Sequence, residues 1–407
     1  MLTFWENGII VIFAFILLGI GYYFSRNVKD MESYYLGNRS LPWSLIVGTL
    51  VASWYGGVGT VGSVEYAAIY GISAWAVWSI AAHIGRMPLA LWVGPRIHIR
   101  TNITVPDLLE SFYGSTILAL VKSGDHIVSS DGIFSHTKLF MSELLSKFGV
   151  EVTFVDAVNP QNVKEAMRPN TKIVYIESPL NPSLDLVDIK TIAEIAHENK
   201  SLAIVDSTFG TPIVQRPIDL GADLVIHSLT KFINGHGDTL GGAVAGSKEL
   251  IDLVRWPSLC CFTGASLPPM SAWMILRGMK TLDMRMKKHC ENGLAVAEFL
   301  EEEENVELVK YPALKSHPQY ELCKTQMNGL GGGVVSFKLK DGINGLTRDQ
   351  ASRKLMNSLE LATIATSLGE EHTLVQMNGE NLIRIAVGLE SSNDIINDFK
   401  QAIKKLK

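Results

Sequence analysis

Hydrophobic patterning divides the chain into two parts. Long apolar runs dominate the first: Asn7–Ser25, Ser40–Val64 and Tyr66–Gly85 contain no Asp, Glu, Lys or Arg. A bilayer-spanning helix needs about 20 mostly apolar residues. The runs therefore predict an all-α membrane segment with spans near Gly8–Phe24, Pro42–Val64 and Gly71–Val93, a membrane contact through residues 8–93. The first run lacks a basic n-region and an A-x-A-like cleavage site, which argues against a signal peptide. In the third run Arg86 lies close enough to the end to snorkel. From residue 115 the pattern changes to short apolar runs alternating with amphipathic stretches. "HIVSS" (126–130), "VEVTFVDA" (150–157), "TKIVYIES" (171–178), "LAIVDST" (202–208) and "ADLVIHS" (222–228) read as strands. "TKLFMSELLSKFG" and "LVDIKTIAEIAHENK" read as helices. That alternation predicts a mainly parallel sheet covered by helices on both faces, with chemistry at the carboxyl ends of its strands.

Charge refines this division. Arg26, Lys29 and Arg39 follow the first span, and Arg96 and Arg100 follow the third. The positive-inside rule then puts the N-terminus outside and everything after residue 95 in the cytoplasm, as a multi-pass membrane protein. Gly56, Gly57, Gly59 and Gly62 interrupt the second span. They fit either a broken helix whose carbonyls bind an ion or close helix packing alone. Six acidic and six basic residues cancel in residues 1–114, so the net charge of -5 belongs to residues 115–407. No basic footprint for nucleic acid exists. Cys260, Cys261, Cys290 and Cys323 show no metal-ligand spacing, so no metal site is expected and free thiols in a reducing compartment are.

Candidate chemistry gathers at two strand ends. Asp206 closes the "AIVD" run. Ser228, Thr230 and Lys231 close "LVIHSLTK", which the glycine-rich "NGHGDTLGG" follows. A pyridoxal phosphate (PLP) enzyme needs an amine for a Schiff base, an anion beside the ring nitrogen and hydroxyls for the phosphate. Lys231 can supply the first and Asp206 the second. Ser228 and Thr230, two residues apart, can face one side and hold phosphate. Taken singly these residues are ordinary, a solvated Lys and a turn-forming Asp. Their conjunction carries the reading.

Two resemblances bear on the same division. "MESYYLGNRSLPWSLIVGTLVASWYGGVGTVGSVEYAAIYGISAW" with "ITVPDLLESFYG" resembles the opening helices of the sodium:solute symporter family, over residues 5–114. It implies that carbonyls near Ala52 and Ser53 contribute to a sodium site. Residues 115–407 resemble the Cys/Met-metabolism PLP enzymes, the methionine γ-lyase, cystathionine γ-lyase and cystathionine γ-synthase group. The motifs are "ESPLNPSLDLVDI", "VDSTFGTP", "LGADLVIHSLTKFINGHGDTLGG", "GASLPPMSAWMILRGMKTLDMRM", "SLGEEHTL" and "IRIAVGLE". This resemblance implies an α/β PLP-dependent transferase-like fold (fold type I), with a PLP-binding large domain at 115–270 and a C-terminal α+β domain at 271–407. It further implies Lys231 as the Schiff-base lysine, Asp206 as the ring-nitrogen partner, and Ser228 and Thr230 at the phosphate. Asn181 would contact the ring hydroxyl or the substrate carboxylate, and Ser367 and Arg384 would bind the α-carboxylate of a sulfur-containing amino acid. Phe134 stands where the family has a ring-stacking tyrosine, which keeps the stacking and removes a hydroxyl. The family's first quarter has no counterpart, so the resemblance implies an N-terminally truncated fold, and it puts the family's homo-oligomer in doubt.

The activity expected is PLP-dependent carbon–sulfur elimination or replacement, with "TSLGEEHTLVQ" nearer to methionine γ-lyase than to the synthases. Two other readings stand beside it: a fragment of a sodium:solute symporter, and an inactive fused reading frame.

Overall fold

The computed structural model describes residues 114–263 and 266–406. They fall in Leu109–Lys407, the second of two compact units of the chain. Six strands form its first sheet: β1 (His126–Ser130), β2 (Glu151–Val155), β3 (Thr171–Glu177), β4 (Leu202–Asp206), β5 (Leu224–Ser228) and β6 (Gly242–Gly246). Their order is β2-β1-β3-β4-β5-β6, all parallel except β6, which runs antiparallel to β5. The central strands are apolar on both faces because both faces are covered. In β3, Ile173 and Tyr175 point to a core with Ile127, Ile204, Phe140, Met141 and Leu145. Val174 and Ile176 point the opposite way, against Ile189, Ile192, Ala193 and Ala196 of helix α1 (Ile189–Glu198). The Asp188 side chain caps α1 by accepting the Thr191 N–H at 3.1 Å.

The expected helix over 137–149 is divided. An α-helical turn, Ser135–Leu139, passes into a π turn, Phe140–Leu144, and a 3-10 turn, Leu145–Phe148, that stops at Gly149 with φ 73°. Phe140 and Leu145 are five residues apart and serve one core. A π turn brings that spacing toward one face, where a regular α-helix would not.

After β6 come helices α2 (Pro269–Met279) and α3 (Leu282–Glu302), then a second sheet. It comprises β7 (Val306–Lys310), β8 (Val334–Leu339), β9 (Thr363–Ile364), β10 (Leu374–Asn378) and β11 (Leu382–Ala386), in the order β7-β8-β11-β10-β9. Helix α4 (Tyr320–Gln326) precedes β8, α5 (Arg348–Asn357) follows it, and α6 (Ser392–Lys404) closes the chain. Val296 and Leu300 of α3, Leu355 of α5 and Phe399 of α6 pack with Phe337, Ile383 and Ile385 of this sheet in one core.

The multi-pass membrane placement is corrected. Among the described residues no helix is long and apolar enough to cross a membrane. Helix α3 has the length, 21 residues, but carries Asp283, Arg285, Lys287, Lys288 and Glu291 in its first half, and each charge at membrane depth is costly. The spans expected at 8–24, 42–64 and 71–93, and the sodium site near Ala52 and Ser53, lie outside the described residues.

Candidate active site

Because β1, β3, β4 and β5 are parallel, their carboxyl ends open on one side of the sheet. Glu177 ends β3 and Asp206 ends β4, in register with each other. The Thr208 N–H donates to Asp206 Oδ1 at 2.9 Å, and the nearby Thr208 hydroxyl also favours the ionised carboxylate. The same hydroxyl oxygen accepts the Ser228 N–H at 2.9 Å. Thr208 thus ties the end of β4 to the end of β5. Burial raises the pKa of Asp206 above its ordinary value, opposed by the Thr208 hydroxyl and N–H. Among the described residues no Lys, Arg or His forms an ion pair with Asp206.

Lys231 lies beyond β5 in a π-helical turn, Leu229–Ile233, where its own φ/ψ of -91° and -137° are not helical. The strand ends at Ser228, so the two-residue alternation expected to align Ser228 with Thr230 does not extend to Thr230. The Thr230 hydroxyl instead accepts the Gly241 N–H at 3.0 Å and donates to the Gly241 carbonyl at 3.3 Å, which folds the lysine turn onto the glycine-rich segment. Phe134 follows β1, half-buried, with its N–H donating to Glu177 Oε2 at 2.7 Å.

From the second sheet, Arg384 on β11 is 4 % exposed. Its Nη1 donates to Asn181 Oδ1 at 3.2 Å, and its Nη2 donates to the carbonyls of Thr366 and Ser367, each at 3.0 Å. Its Nε is buried with no partner among the described residues. Burial lowers this guanidinium to about 10. Two residues after Ser367, Gly369 has φ 81°, and a Cβ there would lie 2.9 Å from the Lys231 carbonyl carbon. The Ser367–Gly369 segment therefore reaches the lysine turn. Only glycine fits so close a backbone approach.

The structure thus joins Asp206 to Ser228, Arg384 to Asn181 and Ser367, and Phe134 to the end of β3. It commits the Thr230 hydroxyl to Gly241. Glu177, Thr208 and Arg285 escaped the sequence reading. For Glu177 a signal existed: an ionisable residue ending a strand of buried apolar residues, in "YIES". The donor set suits the cofactor expected from the sequence. A desolvated carboxyl without a cation partner among the described residues fits a ring N–H, and a buried guanidinium with a donor unused among them fits a carboxylate.

Comparison with known proteins decides the matter. The sequence matches the family described as Cys/Met metabolism PLP-dependent enzyme over residues 112–380, well over half of its 407 residues. The chain belongs to the Cys/Met metabolism PLP-dependent enzyme family. It is a PLP-dependent enzyme of the carbon–sulfur lyase type, and pyridoxal 5'-phosphate is its cofactor. The L-methionine gamma-lyase of Treponema denticola is 48% identical over 312 residues, covering 72% of this chain and 76% of that protein. The L-methionine gamma-lyase of Porphyromonas gingivalis is 44% identical over 311 residues, with 72% and 76% covered. The cystathionine gamma-lyase of Bacillus subtilis is 37% identical over 311 residues, with 72% and 79% covered. The family match begins at residue 112, so the symporter-like reading of residues 5–114 draws nothing from it.

Proposed function

We propose that this family member eliminates a thiol from the γ-carbon of a sulfur amino acid, with L-methionine as the substrate of choice. The observation that carries the reading is Arg384: a buried guanidinium with an unused Nε donor, reaching the neighbourhood of Lys231 through Ser367 and Gly369. The 48% identity to a protein named L-methionine gamma-lyase favours methionine among sulfur amino acids.

In this reading Arg384, helped by Ser367 and Asn181, grips the α-carboxylate and fixes the α-carbon over the strand ends. Lys231 would hold the cofactor through its amine, and as a free amine it would take the α-proton. Asp206, desolvated and oriented by Thr208, holds the ring nitrogen in its protonated form. Bound there, pyridoxal phosphate supplies an electron sink for the charge left at the α-carbon. Ser228 and Thr230 serve the phosphate, Thr230 by redirecting the hydroxyl proton it now gives to the Gly241 carbonyl. Phe134 stacks on the ring through dispersion alone and offers no proton to the leaving thiolate.

The test is spectroscopic and chemical. Cofactor-loaded protein is expected to show a visible absorption band that Lys231→Ala removes, and to release thiol, ammonia and a 2-oxo acid from L-methionine. A band retained by the dialysed Lys231→Ala protein together with undiminished thiol release would sink the assignment.

A further inference from the structure

Glu177 is a carboxylate that none of the roles above uses. It is 6 % exposed at the end of β3, in register with Asp206 on β4. Its Oε2 accepts the Phe134 N–H at 2.7 Å, and the backbone N–H of Asn181 favours its ionised form. Burial pushes this carboxyl well above the usual carboxylate range, and the neighbouring Asp206 adds to the shift. Among the described residues no cation pairs with it. A buried carboxyl without a cation is costly unless hydrogen bonds satisfy it. Here the hydrogen bond comes from the Phe134 backbone, and the Asn181 backbone N–H adds electrostatic support. Phe134 precedes the short helix Ser135–Leu139 without any side-chain cap, so its N–H is anchored by Glu177 rather than by the helix it opens.

We propose that Glu177 is a positioning residue: one side chain ties the loop after β1 to the loop after β3, and so sets the Phe134 ring and the Asn181 amide relative to Asp206. The inference rests on the reading of Lys231 and Asp206 as the cofactor site. Glu177→Gln keeps the size but replaces one acceptor oxygen by a donor, so a backbone N–H loses its partner. If Glu177 acts through Phe134, the two residues belong to one unit and their effects do not add.

The experiment is a double-mutant cycle with Glu177→Gln and Phe134→Ala, read as cofactor affinity by absorbance titration of dialysed protein. Each single change is expected to weaken affinity about tenfold, Glu177→Gln through one lost hydrogen bond and Phe134→Ala through the lost ring contact, and the double change no more than Phe134→Ala alone. Visible circular dichroism per bound cofactor should fall in Glu177→Gln and stay unchanged in the surface control Lys248→Gln, since it reads the environment of the ring and not the stability of the fold. Additive losses, or unchanged affinity and dichroism in Glu177→Gln, overturn the proposal. If Glu177→Gln does not fold, Glu177→Asp takes its place in the cycle, and failure of both to fold assigns Glu177 to the scaffold alone and likewise overturns it. Loss of the Lys231-dependent band in the unmodified protein would instead refute the site reading. A Lys231-dependent band with an additive cycle refutes only the role of Glu177.

Discussion

His289, on α3, bonds through Nδ1 to the Val387 carbonyl at 2.7 Å, while its Nε2 is buried without a partner among the described residues. The carbonyl can only accept, so Nδ1 carries a proton. Burial lowers its pKa from 6.5 to about 4, and His227 on β5 is lowered to about 4 for the same reason. A histidine whose folded pKa lies below its unfolded value binds protons better in the unfolded chain. Its contribution is therefore complete above pH 6.5 and drains away as pH falls from 6.5 toward 4. Each such group removes about 1.4 kcal/mol per pH unit inside that window. Glu177 and Asp206, raised by burial, slope the opposite way, because they favour the folded state as they protonate. The whole-protein slope mixes these terms, but a difference between variants isolates one. Urea midpoints of wild type and His289→Gln, measured from pH 7 to 4.5, are expected to converge as pH falls. Parallel curves would exclude His289 as a proton-linked group.

At the scale of elements, the lysine turn is held from behind by α3. Arg285 is 7 % exposed, and its guanidinium donates to the carbonyls of Phe232 at 2.6 Å, Ile233 at 3.1 Å and Gly278 at 2.8 Å, with Nε on Thr281 Oγ1 at 3.0 Å. Gly235, at φ 74°, leaves room for this guanidinium, which any Cβ there would overlap. Arg285→Met leaves three carbonyls without their charged donor, so a loss of about 3 kcal/mol or more is expected. Arg285→Lys should recover only part of it, because an ammonium cannot reproduce the planar fork. Urea unfolding checks both, and a loss below 1 kcal/mol in Arg285→Met would deny the clamp. Nothing near Lys231 in the sequence announces this residue, which acts across 53 positions. Five strands of the first sheet, by contrast, were legible: "HIVSS" is β1, "TKIVYIES" overruns β3 by one, and the runs for β2, β4 and β5 overrun by two or three. A buried parallel strand leaves an apolar run bounded by polar turns, and that signal is local. The helix over 137–149 misled because amphipathic spacing does not reveal whether a turn is α or π. Strand alternation does not place the Thr230 hydroxyl, because the strand ends at Ser228 and that hydroxyl bonds the Gly241 backbone.

At the scale of the whole molecule, the same distinction between local and long-range signals governs what was readable. Asp206 and Ser228 stand out in the sequence because they close consecutive strands, whereas their coupling through Thr208 arises only in the fold. The apolar runs of residues 8–93 are equally local, and they led to a membrane placement that the described unit does not bear out. Within that unit the two sheets are stitched together along residues 178–189. Gln326 of α4, 5 % exposed, accepts the Ile189 N–H at 3.0 Å and donates to Ser178 Oγ, the Val187 carbonyl and Gln215 Oε1 at 3.0–3.1 Å. Gln319 brackets Leu186 by donating to its carbonyl and accepting its N–H. Lys310 pairs with Asp185 at 2.8 Å, Ser336 donates to the Pro182 carbonyl at 2.7 Å, and Arg384 holds Asn181. The segment that carries Asn181 is thus positioned more by the second sheet than by its own strand. The sheets are therefore expected to unfold together, because neither can release this segment without exposing the other's polar partners. Gln326→Leu fills similar volume but strands several buried groups at once, a loss of about 3 kcal/mol, and it should loosen residues 178–189 before either sheet. Hydrogen exchange of peptides from β4, from β8 and from 178–189 across a urea series would show it. A shared midpoint in the wild type should give way, in the variant, to an earlier midpoint for 178–189. Separate midpoints for β4 and β8 in the wild type would mean that the stitches do not couple the sheets, and that Arg384 and Asp206 are held together by something other than this segment.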